Sequence, residues 1–186
     1  MTTLPTVFIT GASSGIGATY AERFARCGHD LVLVARNKSR LDALAMRLRE
    51  QHQIAVEVLQ ADLTNSAELP ALETRLRHDA RIGILINNAG MLQSGHFLEQ
   101  SPEAIESQIA LNITALTRLA AAIAPRLAQS GTGSIVNIGS VVGFSPEFGI
   151  SLYGATKAYV LFLSQGLAHE LSPQGVYVQA VLPAAT

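Results

Sequence analysis

The sequence has little charge and almost no cysteine. Of its 186 residues only 15% are charged, and 13 basic residues nearly balance 14 acidic ones, giving a formal net charge of -1. Such a chain has no overall field to attract nucleic acid or an anionic membrane. Because Cys27 is the only cysteine, it can form no intrachain disulfide and no cysteine-based metal site. We expect a reducing compartment, with Cys27 as a small buried hydrophobe on a helix.

The sequence also lacks the patterns of zinc proteins and membrane proteins. Its five histidines show no HxxxH or HExxH spacing, so no metal site is predicted. The N-terminus has no basic segment followed by a long apolar stretch, and no apolar run approaches a membrane span. The sequence predicts a soluble, cytoplasmic protein that binds neither nucleic acid nor a membrane.

The chain does contain a regular alternation of short β-branched runs with longer segments of helical spacing. The runs predict six strands, at 6–9, 31–35, 55–60, 82–86, 134–138 and 176–182. The longer segments predict helices at 15–27, 38–51, 66–79, 102–129 and 152–171. This order is typical of a parallel sheet covered by helices on both faces. We predict one three-layer, doubly wound α/β domain of the Rossmann type over residues 1–186.

A glycine-rich turn, TGASSGIG, joins the first predicted strand to the first helix at Thr10–Gly17. Glycine lets the backbone approach a ligand closely, and a helix N-terminus offers free N–H groups to a pyrophosphate. Structural glycines are also common at strand–helix joints. The turn is therefore a candidate dinucleotide site that needs support from elsewhere in the chain.

That support comes from polar residues expected at the same edge of the sheet. Tyr153 and Lys157 lie four residues apart on a predicted helix, so they share a face. A nearby ammonium lowers a tyrosine pKa towards the range needed for proton exchange at neutral pH. Ser140 follows the fifth strand, where it is either a functional residue or a turn cap. Because ligands bind at the carboxyl ends of strands in open α/β sheets, we expect these residues to meet Gly11 and Asn87 there.

These motifs resemble the short-chain dehydrogenase/reductase family over the whole chain. The resemblance rests on the glycine turn, on the Tyr153/Lys157 pair, on Leu182-Pro183 and on the segment Asn87-Asn88-Ala89-Gly90. It implies a nicotinamide-dependent enzyme that interconverts an alcohol and a carbonyl compound.

The resemblance also assigns roles to particular residues. It implies that Ser140 polarises the substrate oxygen and that Tyr153 is the general acid/base. Lys157 tunes Tyr153 and binds the nicotinamide ribose. Asn112, a polar interruption in the apolar stripe of helix 102–129, holds a water in the proton relay. The implied cofactor-binding residues are Gly11, Ser13, Ser14, Gly15, Ile16, Gly17, Arg36, Asp62, Leu63, Asn88, Ala89, Gly90, Tyr153, Lys157, Pro183 and Thr186.

The predicted cofactor is NADP rather than NAD. The second strand ends at Ala35 and Arg36, without the carboxylate that binds the adenosine ribose in NAD-selective proteins. An arginine at this place can pair with the 2′-phosphate of NADP. The alternative is that Arg36 merely faces solvent.

Substrate and assembly are less well defined by the sequence. Apolar residues in the loops near the expected site suggest an apolar substrate: Met91, Leu92, Phe97, Phe144 and Phe148. Helices 102–129 and 152–171 are expected to pack across a homodimer or homotetramer, since the second is apolar on nearly every side. We expect a seventh strand and a substrate loop to be missing after Thr186, which would leave the sixth strand as an exposed edge.

Two other classes stay open. One is a nucleotide-sensing protein that keeps the fold without turnover, and the other is a fragment that folds without activity. An intact set of Ser140, Tyr153 and Lys157 argues against the sensor, which has no use for a tuned tyrosine.

Overall fold

The computed structural model describes residues 4–93 and 96–184. They contain one six-stranded parallel sheet with the strand order β3-β2-β1-β4-β5-β6. The strands are β1 (Thr6–Thr10), β2 (Leu31–Ala35), β3 (Val56–Gln60), β4 (Ile82–Asn87), β5 (Ser134–Ile138) and β6 (Tyr177–Val181). The helices are α1 (Gly15–Arg26), α2 (Lys38–His52), α3 (Leu69–His78), α4 (Pro102–Ile109), α5 (Leu116–Ser130) and α6 (Ser151–Leu171). The predicted doubly wound α/β fold is confirmed.

The sheet separates two apolar cores, one on each face. On one face α1 and α2 bury Ala21, Ala25 and the leucines of α2 against the sheet. On the other face α3 and α5 supply most of the packing, with Leu76, Leu119 and Ile123 fully buried. β2 is apolar throughout, and β1 is apolar between its terminal threonines, because both faces of these strands are covered. Whether residues 1–186 form the whole folding unit stays a prediction.

The predicted helix 102–129 is real but not uniform. It begins at Ser101, whose hydroxyl accepts a hydrogen bond from the backbone N–H of Ala104 at 3.2 Å. Between α4 and α5 the backbone forms a π-helical segment, Ala110–Ala115, which contains Asn112. Such π segments widen a helix locally and often occur at functional sites. The polar interruption in the sequence pattern therefore coincides with a local change of helix geometry.

Two expectations about individual segments were wrong. The continuous helix Pro102–Ser130 is long and apolar enough, by length and composition, to cross a membrane, although the sequence pattern suggested no such run. Half of its most apolar stretch is buried inside the protein, where Leu119 and Ile123 pack on the sheet. Cys27 is exposed rather than buried, because it caps the end of α1 where the chain turns through Gly28 (φ 87°).

The order of the strands places the candidate site. β1 and β4 are neighbours at the middle of the sheet. From β1 the chain continues outwards to β2 and β3, and from β4 it continues in the opposite direction to β5 and β6. The loops that follow these two strands therefore leave in opposite directions and open a crevice at their carboxyl ends. The glycine turn follows β1, and the segment beginning at Asn88 follows β4. β6 lies at the edge of the described sheet.

Candidate active site

The glycine turn is shaped by close approaches of the backbone. Gly11 has a φ of +63°, and a Cβ at this position would lie 2.7 Å from the Asn88 side-chain nitrogen. A Cβ on Gly17 would lie 2.3 Å from the Gly11 carbonyl oxygen. No larger residue fits either position without displacing the backbone. The first turn of α1 can therefore pack directly against the loop that follows β1.

Thr10 and Asn88 join the glycine turn to the loop after β4. The Thr10 hydroxyl accepts hydrogen bonds from the backbone N–H groups of Asn88 and Ala89, both at 3.0 Å. In return the Asn88 side chain donates to the carbonyl oxygens of Thr10 and Gly11 at 3.0 and 3.1 Å. Segments almost eighty residues apart thereby form one rigid floor for the crevice.

A cavity of about 540 Å³ lies over this floor. Ten of the predicted cofactor-binding residues line it, namely Gly11, Ser13, Ser14, Ile16, Arg36, Asp62, Leu63, Asn88, Ala89 and Gly90. Gly15 and Gly17 do not line it. Their contribution is conformational, since Gly15 has a φ of +54° and Gly17 packs against Gly11.

The cavity has a second cation, Arg40, that the sequence reasoning did not select. Arg40 lies in the first turn of α2, where its backbone N–H donates to the side chain of the N-cap, Asn37, at 3.0 Å. The N-cap asparagine three residues earlier predicts that Arg40 lies in the first turn of a helix, but it does not predict that this turn faces the crevice. Arg36 and Arg40 therefore line the same cavity.

Asp62 contributes a negative charge on the same side of the cavity. Burial acts to raise the pKa of its carboxyl group, but hydrogen bonds from the Thr64 hydroxyl and N–H, at 2.7 and 2.9 Å, outweigh that effect. The positive charge of Arg36 acts in the same direction, so the pKa lies below its ordinary value. Asp62 is therefore ionised at neutral pH and held in place by Thr64.

A smaller cavity of about 210 Å³ shares Ile16, Asn88 and Gly90 with the larger one, so the two form a continuous cleft. The predicted residues Ser140, Tyr153, Lys157 and Pro183 line its inner end. Met91 and Leu92 line it as well. The structure therefore brings together three of the four predicted catalytic residues. Thr186 lies outside the described residues.

Tyr153 and Ser140 line the same cavity. Burial raises the pKa of the Tyr153 hydroxyl, and the Ser140 hydroxyl partly opposes that rise. The Ser140 hydroxyl also accepts a hydrogen bond from the Val142 N–H at 3.2 Å, so the capping role considered for it is real. Ser140 thus caps a turn and also lies beside Tyr153 in the cavity.

Lys157 does not lower the tyrosine pKa in the way the sequence suggested. Its ammonium lies 5.5 Å from the centre of the Tyr153 ring and donates to the Ile138 carbonyl oxygen at 2.9 Å. Only 5% of Lys157 is exposed, and burial lowers its own pKa to about 8. The expected lowering of the Tyr153 pKa is corrected to a rise, because burial removes hydration from the hydroxyl and outweighs the opposing effect of Ser140.

Asn112 lines neither cavity but lies directly behind the cleft. Its side-chain oxygen accepts from the Met91 N–H at 2.9 Å, while its nitrogen donates to the Met91 carbonyl at 2.9 Å and to the Thr156 hydroxyl at 3.0 Å. Thr156 in turn donates to the Tyr153 carbonyl oxygen at 2.8 Å. Both hydrogens of the side-chain amide are therefore already donated. The role of holding a water stays a prediction, and within this side chain only the oxygen has a free acceptor position for that water.

Comparison with known proteins places the chain in a family. Residues 5–186 match the family described as short chain dehydrogenase, and the chain belongs to that family. The class, an NAD(P)-dependent oxidoreductase, was predicted from the motifs and is confirmed.

Curated relatives extend beyond the region matched. The chain is 38% identical over 176 residues to an uncharacterised oxidoreductase of Staphylococcus saprophyticus, covering 94% of this chain and 75% of that protein. It is 33% identical over 179 residues to a very-long-chain 3-oxoacyl-CoA reductase of Danio rerio, covering 94% of this chain but only 57% of the relative.

Two solved structures are more similar. A short-chain dehydrogenase from Sphingobium yanoikuyae in complex with NADPH has 78% identity and a TM-score of 0.98, covering 98% of this chain and 72% of that one. A bulky-bulky ketone specific alcohol dehydrogenase from Comamonas testosteroni has 68% identity and a TM-score of 0.98, covering 100% and 74%.

Proposed function

We propose that this protein is an NADP-dependent alcohol dehydrogenase that reduces ketones, or oxidises the corresponding alcohols, with Tyr153 as the general acid/base. One observation carries the proposal: a single cleft joins an end that contains the glycine turn, Arg36 and Arg40 to a cavity that Ser140, Tyr153 and Lys157 line together. The similar Sphingobium enzyme is a complex with NADPH, which supports the choice of cofactor.

The residues of the larger cavity fit NADP. The glycine turn lines the cavity with small residues, and the N-terminus of α1 next to it would offer its free N–H groups to a pyrophosphate. Arg36 and Arg40 would bind the 2′-phosphate, and Asp62 and Leu63 would lie beside the adenine. Tyr153 and Lys157, in the smaller cavity, would hold the nicotinamide ribose. When bound, NADP(H) supplies or accepts the hydride.

The side chains of the smaller cavity provide the proton chemistry. With its pKa above the ordinary value, Tyr153 is a neutral phenol at pH 7 and can donate a proton to a carbonyl oxygen that is being reduced. Ser140 lines the same cavity and would donate a hydrogen bond to that oxygen. Lys157, with a pKa of about 8, is mostly protonated at pH 7 and places a positive charge beside the ring as the phenolate forms.

The substrate proposed is a ketone with bulky apolar groups. Leu92, Phe144 and Phe148 are exposed on loops next to the catalytic end, where a bound ketone could cover them. The similar Comamonas enzyme is described as specific for bulky-bulky ketones. The other candidate substrate is a 3-oxoacyl-CoA, named for the Danio rerio relative, which is less similar to this chain at 33% identity and of which the chain spans 57%.

A panel of ketones tests this proposal. We expect NADPH consumption with diaryl or branched ketones, weaker consumption with NADH, and little with a 3-oxoacyl-CoA. Binding of NADPH without consumption of any ketone, while the family enzymes used as positive controls remain active, would instead favour the nucleotide-sensing alternative. Cytoplasmic location remains a prediction of the sequence.

A further inference from the structure

Helix α6 carries Tyr153 and Lys157, yet its apolar pattern does not define which side faces the sheet. Val160 is fully buried, Leu161 and Leu163 are half-buried, and Phe162 is 80% exposed. A helix with apolar side chains on nearly every side can gain similar burial in several rotational settings. Since the hydrophobic effect is non-directional, something else must set the rotation of α6 about its axis.

A chain of buried polar side chains crosses the sheet and ends on α6. Asn87 and Asn137 are paired in register on β4 and β5, and the Asn87 amide donates to the Asn137 side-chain oxygen at 3.0 Å and to the Leu116 carbonyl at 3.2 Å. Asn137 donates to the Ser164 hydroxyl at 3.0 Å, and Ser164 donates to the Val160 carbonyl at 2.6 Å. These asparagines and the serine are each at most 2% exposed.

The position of Ser164 relates this chain to the catalytic end of the cleft. Ser164 lies seven residues after Lys157, which is two helical turns, so both residues face the sheet on the same side of α6. Lys157 donates to the carbonyl of Ile138, the residue that follows Asn137 on β5. Thr156, bonded to Asn112, makes another buried polar contact one residue before Lys157. Directional hydrogen bonds therefore hold α6 at both ends of the segment that carries Lys157.

We propose that Asn137 and Ser164 are positioning residues: their hydrogen bond sets the rotation of α6 and thereby aligns Tyr153 with Ser140 and Lys157 with the Ile138 carbonyl. A side-chain end about 6 Å from a helix axis moves by about 1 Å when the helix rotates by about 10°. A displacement of that size can lower a catalytic rate about 100-fold. The inference rests on the proposed function, but the alignment is a property of the protein alone.

The test compares Ser164→Ala with Val160→Ala. Both changes remove buried atoms from the same helix, but only the first removes the hydrogen bond to Asn137. We expect Ser164→Ala to lower kcat at least about tenfold with the Kd for NADPH nearly unchanged. Val160→Ala should reduce the melting temperature at least as much, because it opens a cavity, while keeping kcat close to that of the unmodified protein.

A second readout does not depend on turnover. The pKa of Tyr153 can be followed by NMR of carbon-13-labelled tyrosine in the free protein, with Tyr153→Phe used to assign the signal. A changed rotation alters the burial of Tyr153 and its position beside Ser140, so we expect a shift in Ser164→Ala of more than about half a unit. Val160→Ala should leave the titration in place.

The outcomes separate the two proposals. If the unmodified protein reduces no ketone, the proposed function fails, and the tyrosine titration still decides the positioning role. If Ser164→Ala lowers only the melting temperature and leaves kcat and the titration unchanged, the positioning role is wrong. Should Ser164→Ala fail to fold, the paired variant Asn137→Leu/Ser164→Ala decides in its place, since leucine removes the amide that Ser164→Ala leaves without an acceptor, while Asn87 keeps its bond to the Leu116 carbonyl.

Discussion

The two ends of the cleft are built in different ways. The adenosine end is the larger cavity, in which we expect the adenosine of NADP to bind. Its lining residues come from short contiguous segments, and the exposed cations Arg36 and Arg40 line it. At the catalytic end, Lys157 is buried, Ser140 and Tyr153 come from different elements, and burial shifts the ionisation of both Tyr153 and Lys157. From this contrast we predict that cofactor selection depends on exposed charge, whereas catalysis depends on how the helices pack.

The largest expected effect is at the catalytic end. Tyr153→Phe removes the hydroxyl that we assign as the general acid/base, so turnover should fall by about 100- to 10,000-fold. NADPH binding, which depends mainly on the other end, should change little. Steady-state rates and a fluorescence titration with NADPH measure the two quantities separately. Substantial residual turnover in this variant would remove Tyr153 from the mechanism.

At the adenosine end the expected effect is confined to the cofactor. Arg36→Ala removes a charge-assisted contact, which costs about 1.5–3 kcal/mol, so the Kd for NADP should rise by about ten- to a hundredfold while that for NAD hardly changes. The matched control is Arg26→Ala, an exposed arginine on α1 that does not line the cavity. Equal affinity of the unmodified protein for NADP and NAD would contradict the assignment.

The burial of Lys157 predicts how stability depends on pH. Its pKa is about 8 in the folded protein and 10.5 ordinarily, so between these values the unfolded chain binds more protons. The free energy of unfolding should therefore rise with pH from about 8 to 10, with a contribution of up to about 1.4 kcal/mol per unit. Chemical denaturation measured between pH 8 and 10 gives this change in the free energy of unfolding. The rise with pH should disappear in Lys157→Met and remain in Lys38→Met, because Lys38 is exposed.

A smaller effect concerns the outer face of the helix that supports the catalytic end. Phe162 and Tyr159 are exposed on α6, and Tyr159 contacts the Thr117 hydroxyl on α5 at 2.9 Å. We predict a symmetric dimer through these two helices, since monomers seldom expose such a patch. Phe162→Glu should give a monomer by light scattering at micromolar concentration, whereas Met46→Glu on α2 should not. A monomeric unmodified protein would rule the dimer out.

Local patterns predicted most of the residues that line the larger cavity. The glycine turn and Arg36 each act close to their place in the chain, so their geometry follows from a strand, a turn and the first turn of a helix. Arg40 was missed although it lies only four residues after Arg36, because its role depends on which way α2 faces. Cys27 was predicted to be buried from the general tendency of cysteine, but its position at a helix end exposes it.

The catalytic end shows where such patterns stop being sufficient. A Tyr and a Lys four residues apart share a helix face, but the spacing does not determine how deeply that face is buried. The sequence therefore suggested a lowered Tyr153 pKa, whereas loss of hydration raises it. Similarly, the pattern identified Asn112 as a polar interruption but not its bonds to Met91 and Thr156, which join segments distant in the chain.

The sequence by itself determined the order of strands and helices, the family, and the positions of the glycine turn and of Ser140, Tyr153 and Lys157, because periodicity and motif spacing are local properties of the chain. Only the tertiary structure decided the ionisation of Tyr153 and Lys157, the placing of Arg40 in the cavity, and the polar chain from Asn87 to Ser164 that reaches α6. Hydration and hydrogen-bond partners depend on which distant segments pack together, and no pattern along a single segment specifies that.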